Sequence, residues 1–350
     1  MAKRQREARI LTIDGAGLKA IVPALLLAHI EKVTGKPIVR SFHFCAATSA
    51  SSLLPLALSS ATAGGKSMSA EQLGSLIVQH GSKIYGSEFW TQFKRLNLGG
   101  QGFRSSKRLA RLTRRLFKNL NLSDCDWDVF LPLFDMESGQ GYQARSWLAK
   151  DQENVNSARE HDFKLRALGE VCFAPPTIFG PKLIWDQRRR PRNLVDATIA
   201  QSNPITSGLK AAQKLYDQAD HWQVLSLGVG IEQKEAGFLK NQAWSSAGWT
   251  KPLFEINSKI HQEQSMIHAE DSFPNTALLR LDPALRSKDR SRSSYAWGNL
   301  DNKSVEALKL AARSLILEAQ HNGLADFCAH LIENPLVDRN ELIGQNNASS

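Results

Sequence analysis

The chain has 350 residues and a formal net charge of +10, from 44 Lys and Arg against 34 Asp and Glu. A chain this long buries enough apolar surface to fold without disulfide or metal staples. Its four cysteines, Cys45, Cys125, Cys172 and Cys328, form no Cys-x-x-Cys pair and no metal-ligand spacing, so they are expected reduced and buried, as in a cytoplasmic protein.

The first nine residues are basic, but the apolar run behind them breaks at Asp14, too early for a secretory leader. Ala20–Ile30 is apolar yet too short to span a bilayer, so a soluble protein is expected. The basic balance attracts anionic lipid head groups, nucleotides or nucleic acid without choosing among them, and it also fits a merely solubilising surface.

In chain order, Arg9–Ile13 is apolar and β-branched and reads as a buried strand. Asp14-Gly15-Ala16-Gly17 is a turn. A helix is expected over Ile21–Thr34, with Pro23 in its first turn and Gly35 as its stop. Phe42–Ala47 reads as a second strand and Ser52–Leu58 as the start of a second helix, which makes a parallel α/β beginning. Residues 61–125 read as a helical insertion, within which Lys107–Lys118 (KRLARLTRRLFK) is a basic amphipathic helix. Val129–Met136 and Gly141–Trp147 read as a hairpin, and Leu183–Trp185 and Val224–Leu227 as short strands. Val305–Ala319 reads as a late helix with Ser304 as N-cap. Without repeats or a clean linker, residues 1–344 are expected to form one domain, followed by a disordered polar tail, 345–350.

Three segments carry residues suited to chemistry. Ala47-Thr48-Ser49-Ala50-Ser51 sits where a strand turns sharply into a helix, the place where α/β hydrolases hold a nucleophilic serine between very small residues. Taken alone it is better read as close helix–strand packing. Asp14–Lys19 turns backbone N–H groups outward ahead of a helix, a nest suited to a phosphate or to the oxyanion of an acyl intermediate. The Walker spacing and the third glycine of a dinucleotide fingerprint are both absent. Asn193-Leu194-Val195-Asp196 ends on an aspartate after an apolar pair, which suits a strand end facing a cleft or an ordinary turn.

The order and spacing of these segments resemble the patatin-like phospholipase family, whose pattern is Asp-Gly-Gly-Gly-x-Arg/Lys-Gly, then Gly-x-Ser-x-Gly, then Asp-Gly-Gly/Ala. Asp14–Ala20 (DGAGLKA), Ala47–Ser51 (ATSAS) and Asp196–Thr198 (DAT) match in turn. The stretches Ala24–Pro37, Ala174–Phe179, Val224–Gly230 and Leu278–Pro283 extend the resemblance over about Ile10 to Ala319. It implies a three-layer α/β/α sandwich with a mostly parallel central sheet. It implies hydrolysis of lipid esters, phospholipids among them, by a Ser49–Asp196 dyad without metal or cofactor. Gly15, Ala16 and Gly17 would form the oxyanion hole, and Lys19 would bind substrate near the entrance. Some bacterial relatives are switched on by cyclic nucleotides in antiphage defence, and such an activator is implied by the resemblance alone.

The departures matter: Ala16, Ala20, Ala47, Ser51, Ala197 and Thr198 stand where the family has glycine. An alanine at a φ > 0 glycine position costs on the order of 1 kcal/mol, and a lost oxyanion donor costs about a hundredfold or more in rate. A catalytically impaired relative that binds lipid or acyl chains is therefore the first alternative. A nucleic-acid binder using Lys107–Lys118 and Arg188–Arg190 is disfavoured, because no aromatics interleave with the basic residues. An anionic membrane is the partner that the basic helix would suit.

Overall fold

The computed structural model describes residues 5–15, 17–59, 67–85, 107–173, 180–233, 246–286 and 302–344. Ten strands occur among them: β1 (Glu7–Ile13), β2 (Phe44–Ala47), β3 (Asp128–Asp135), β4 (Gln140–Arg145), β5 (Lys182–Trp185), β6 (Pro191–Asp196), β7 (His221–Leu227), β8 (Ile231–Gln233), β9 (Thr276–Leu281) and β10 (Ala284–Arg286). The main sheet runs β5-β6-β3-β2-β1-β7-β9, with β4 also paired to β3, and β8 and β10 form a separate pair. The run β3-β2-β1-β7-β9 is parallel throughout. β4 and β6 pair antiparallel to β3, and β5 pairs antiparallel to β6.

Alternation along the central strands divides the core into two layers. In β1, Leu11 and Ile13 face one cluster while Ala8 and Ile10 face the other; in β2, Cys45 and Ala47 face the first and Phe44 and Ala46 the second. Each fully buried Leu or Ile contributes about 1.5–3 kcal/mol over exposure, so a one-residue slip of register would reverse every one of these placements. The helices α1 (Ile21–Thr34), α2 (Leu53–Ser59), α3 (Ala70–Tyr85), α4 (Lys107–Phe117), α5 (Leu165–Cys172), α8 (Asn302–Ala319) and α9 (Ala325–Glu333) contribute to the first layer. α6 (Ile205–Leu215) and the end of α7 (Ser246–Ser272) contribute to the second. The sheet is thus mostly parallel with helices on both faces, as the resemblance implied.

The first helix matches its sequence pattern end to end, and Gly35 closes it at φ 67°, a left-handed conformation that glycine adopts at low cost. Leu73 and Ile77 of α3 and Leu109, Leu112, Leu116 and Phe117 of α4 lie in the same core cluster as Leu11 and Ile13. Residues 61–66 and 86–106 of the expected insertion, and the tail 345–350, lie outside the described residues. One cap is corrected: α8 already includes Asn302, so Ser304 sits inside its first turn and is not its N-cap. Among the described residues no helix is long and apolar enough to cross a membrane.

The pairing around β3 brings two strand ends together. Phe130 of β3 pairs with Ala46 of β2 on one edge and Arg145 of β4 on the other, whereas Phe134 pairs with Val195 of β6 and Gly141 of β4. β4 therefore fills one edge of β3, and β2 and β6 share the opposite edge. β2 runs parallel to β3 and β6 antiparallel, so their C-terminal ends point at one another. Ala47 ends the first and Asp196 ends the second.

Candidate active site where two strands meet

β2 leads through Thr48 into a tight turn, Ser49–Ser52, and then α2. Ser49 opens that turn with φ 56°, one of three non-glycine residues at positive φ among the described residues. A left-handed L-residue costs roughly 1–2 kcal/mol, and such strain concentrates where function needs a special geometry. The turn is fixed from below: Thr48 N–H donates to the Ile13 carbonyl at 3.3 Å, and Ser52 Oγ donates to the Ala47 carbonyl at 3.2 Å. Ala47 and Ser51 are wholly buried, so the small side chains that replace glycine are accommodated by the packing around the turn.

Asp196, the last residue of β6, is 1 % exposed. Its Oδ1 accepts the Thr198 backbone N–H at 3.0 Å, and its Oδ2 makes no hydrogen bond. Burial pushes this carboxyl up to about 7, opposed by the neighbouring Ser49 hydroxyl and the Thr198 amide. The Ser49 hydroxyl thus lies beside the carboxyl and acts on it, although Ser49 Oγ completes no hydrogen bond of good geometry. Long or misaligned contacts of this kind are usual before substrate binds. Thr48 Oγ1, Ser51 Oγ and Thr198 Oγ1 around them are likewise buried without partners, as is Nδ2 of Asn203. Native proteins leave few such atoms, and five of them, on Thr48, Ser49, Ser51, Asp196 and Thr198, belong to the two strand ends that carry the serine and the aspartate.

The loop after β1 packs on this pair. A Cβ on Gly15 would stand 2.7 Å from Thr198 Oγ1, 2.9 Å from Ser49 Cβ and 3.0 Å from the Thr48 carbonyl oxygen, so only glycine fits. The sequence reading expects Gly15 in an oxyanion hole. Its N–H donates to the Ser202 carbonyl at 2.8 Å, which leaves it engaged rather than turned to an oxyanion. Gly17 takes φ 51° at the start of the turn Gly17–Ala20, and Ala16 between them lies outside the described residues. The Lys19 ammonium donates to the Gly230 carbonyl at 3.2 Å, tying this loop to the one after β7.

The sequence pattern did not reveal the group beneath the loop. Asp14 is fully buried, and its carboxylate is gripped by both terminal nitrogens of Arg280, at 3.0 and 2.5 Å. Burial raises the Asp14 carboxyl while the Arg280 charge pulls it back. An arginine between leucines in an otherwise apolar strand was the available signal. Cys172 also lies near the site, and burial followed by the Asp196 charge pushes its thiol up to about 12. The matched stretch Ala174–Phe179 lies outside the described residues. Of the arginines assigned to a nucleic-acid surface, Arg188 pairs with Glu160, and Arg190 with Glu160 at 2.7 Å and Asp186 at 3.0 Å.

These features define an α/β protein with a strained serine and a buried aspartate converging at a strand end. The curated relatives of the chain are patatin-like proteins. Patatin-like protein 2 of Oryza sativa subsp. indica is 24% identical over 290 residues, covering 74% of this chain and 71% of the relative. Patatin-like protein 1 of Arabidopsis thaliana is 23% identical over 80% of this chain and 74% of its own length. A cGAMP-activated phospholipase of Pseudomonas aeruginosa is 26% identical over 178 residues, 49% of this chain and 47% of the relative. Among solved structures, VipD from Legionella pneumophila aligns over 91% of this chain and 67% of its own, at 10% identity and a TM-score of 0.34, too remote to decide anything. No family model matches the chain.

Proposed function

We propose that the chain is a lipid acyl hydrolase in which Ser49 attacks the ester carbonyl and Asp196 serves as base. The observation that carries this is the unpaired Asp196 Oδ2, on a carboxyl held at about 7, beside a serine at φ 56°. A base with its pKa near the working pH combines availability with driving force. The patatin-like relatives, one of them named a phospholipase, support lipid esters as the substrate class.

In this mechanism Ser49 Oγ bonds to the carbonyl carbon while its proton passes to Asp196 Oδ2. The carbonyl oxygen becomes an oxyanion, held by backbone N–H groups of the loop Gly15–Gly17 beyond the engaged Gly15 amide. Collapse expels the alcohol, which takes the proton from Asp196. Water then attacks the acyl-serine, Asp196 again accepts a proton, and release of the acid returns it to Ser49. Thr198 N–H on Oδ1 leaves Oδ2 as the oxygen that moves the proton.

A fluorophosphonate probe tests the assignment: covalent labelling at Ser49, lost in Ser49→Ala, supports it, and an unlabelled wild-type chain refutes it. One observation favours a binding protein without turnover. With the Gly15 amide taken by Ser202, the loop offers fewer donors to an oxyanion. The same probe separates the two readings. A cyclic nucleotide activator belongs to the proposal only through the relative named as cGAMP-activated; hydrolysis assayed with and without a cyclic dinucleotide decides it.

A further inference from the structure

Arg280 of β9 is in register with Ser226 of β7, and Ser226 with Thr12 of β1. Its side chain therefore crosses beneath β7 to reach the residue that succeeds β1. There its Nη1 donates to Asp14 Oδ1 at 3.0 Å and Ser226 Oγ at 2.8 Å, while Nη2 donates to Asp14 Oδ2 at 2.5 Å and Asp282 Oδ2 at 2.8 Å. Asp282 Oδ1 in turn accepts the Gly230 N–H at 2.9 Å, and Lys19 returns from the loop after β1 to the Gly230 carbonyl. A Cβ on Gly228 would fall 2.0 Å from the Asp282 carboxyl carbon, so the carboxylate occupies the space that any side chain there would need.

We infer that Arg280 is a positioning residue for the oxyanion loop, setting its distance from Ser49 through Asp14. The inference rests on the hydrolase proposal and names how that site is held. Asp14 is the residue immediately before Gly15, and Gly15 is in contact range of Ser49. The Asp14 N–H is bound to the Leu227 carbonyl at 2.9 Å and the Gly15 N–H to Ser202, so backbone bonds fix the loop root on two sides and Arg280 fixes its side chain on the third. Buried ion groups are poor devices for stability, because desolvation cancels much of their attraction. A planar fork that bridges two carboxylates and a hydroxyl instead gives fixed geometry, which a lysine cannot reproduce. A displacement of about 1 Å in such a loop costs on the order of a hundredfold in rate.

Two variants test this, Arg280→Lys and Asp14→Asn, each measured on folded, monodisperse protein by steady-state ester hydrolysis and by the rate of fluorophosphonate labelling at Ser49. Arg280→Lys keeps the charge but loses the fork, and is expected to lower kcat and the labelling rate together by about tenfold or more, with KM nearly unchanged. Asp14→Asn keeps the shape, weakens the same grip, and is expected to shift kcat in the same direction. If Arg280→Lys does not fold, Asp14→Asn still decides. A fall in melting temperature with kcat and labelling rate intact, or an effect confined to KM, overturns the inference. A wild-type chain that takes no label instead refutes the hydrolase proposal, and the positioning role with it.

Discussion

Gly15 and Ser49 approach so closely that a Cβ on the first would stand 2.9 Å from the Cβ of the second. The loop after β1 and the turn after β2 are thus in direct contact, without a side chain between them. Gly15→Ala must push apart Thr198, Ser49 and the Thr48 backbone together. It is expected to abolish hydrolysis and to lower stability by about 1–3 kcal/mol, the usual range for overpacking. Thermal melts beside ester hydrolysis check this; wild-type activity in a folded Gly15→Ala protein would contradict the packing.

Replacing Ser49, the proposed nucleophile, separates strain from chemistry. Ser49→Ala should remove all esterase activity with little change in melting temperature, since Oγ completes no hydrogen bond of good geometry in the fold. Ser49→Gly should be equally inactive yet melt at or above Ser49→Ala, because glycine tolerates φ 56° without the left-handed penalty. Elsewhere in a helix-opening turn the order would be the reverse. Differential scanning calorimetry of the two variants gives the answer.

Asp196 makes a pH prediction with a definite sign. In its proposed role as base it must be ionised, so kcat/KM should rise with pH and level off above about 7. Stability runs the other way. The folded-state pKa lies above the ordinary carboxyl value, so the folded chain binds the extra proton, and its advantage is lost as pH rises through about 7. Asp196→Asn removes that loss. It should be inactive but more stable than wild type at pH 8, by up to about 4 kcal/mol, with the difference vanishing near pH 4. Urea melts at both pH values measure it; an equal difference at each would mean that Asp196 is ionised throughout.

The basic helix α4 supplies a test at the surface. Its Leu109, Leu112, Leu116 and Phe117 are buried, which leaves Lys107, Arg108, Arg111, Arg114 and Arg115 exposed. α4 packs on α5, and α5 packs on the turn that carries Ser49. Near an anionic leaflet each such residue contributes about 1 kcal/mol. Arg111→Glu with Arg115→Glu should lower sedimentation with phosphatidylserine vesicles at least tenfold and leave hydrolysis of a soluble short-chain ester unchanged. Undiminished sedimentation would make the helix a solvated face.

The local grammar of the chain was readable. α1 followed from its apolar spacing and Gly35, the β3–β4 hairpin from two apolar runs around Ser138–Gly141, and the placing of Asp196 at a strand end from the apolar pair before it. What was not readable was long-range. Nothing in the sequence of β6 says that it pairs behind β2 on one edge of β3, and nothing near Arg280 names Asp14, 266 residues away, as its partner. α7 escaped because its outward face carries Leu253, Ile256, Ile260 and Ile267, all exposed, which blurs the amphipathic contrast by which a surface helix is found. The engagement of the Gly15 amide by Ser202 was hidden for the same reason: the partner is distant in sequence and its carbonyl leaves no signature in residue type.

The shared edge of β3 has a bearing on synthesis. Ser49 is made early, but Asp196 reaches it only when β6 has been completed and has docked behind β2, and Arg280 comes later still. A ribosome-bound fragment ending before β6 holds the serine without its base. On the hydrolase proposal, such a fragment has the nucleophile and no base, so activity begins only once β6 has docked.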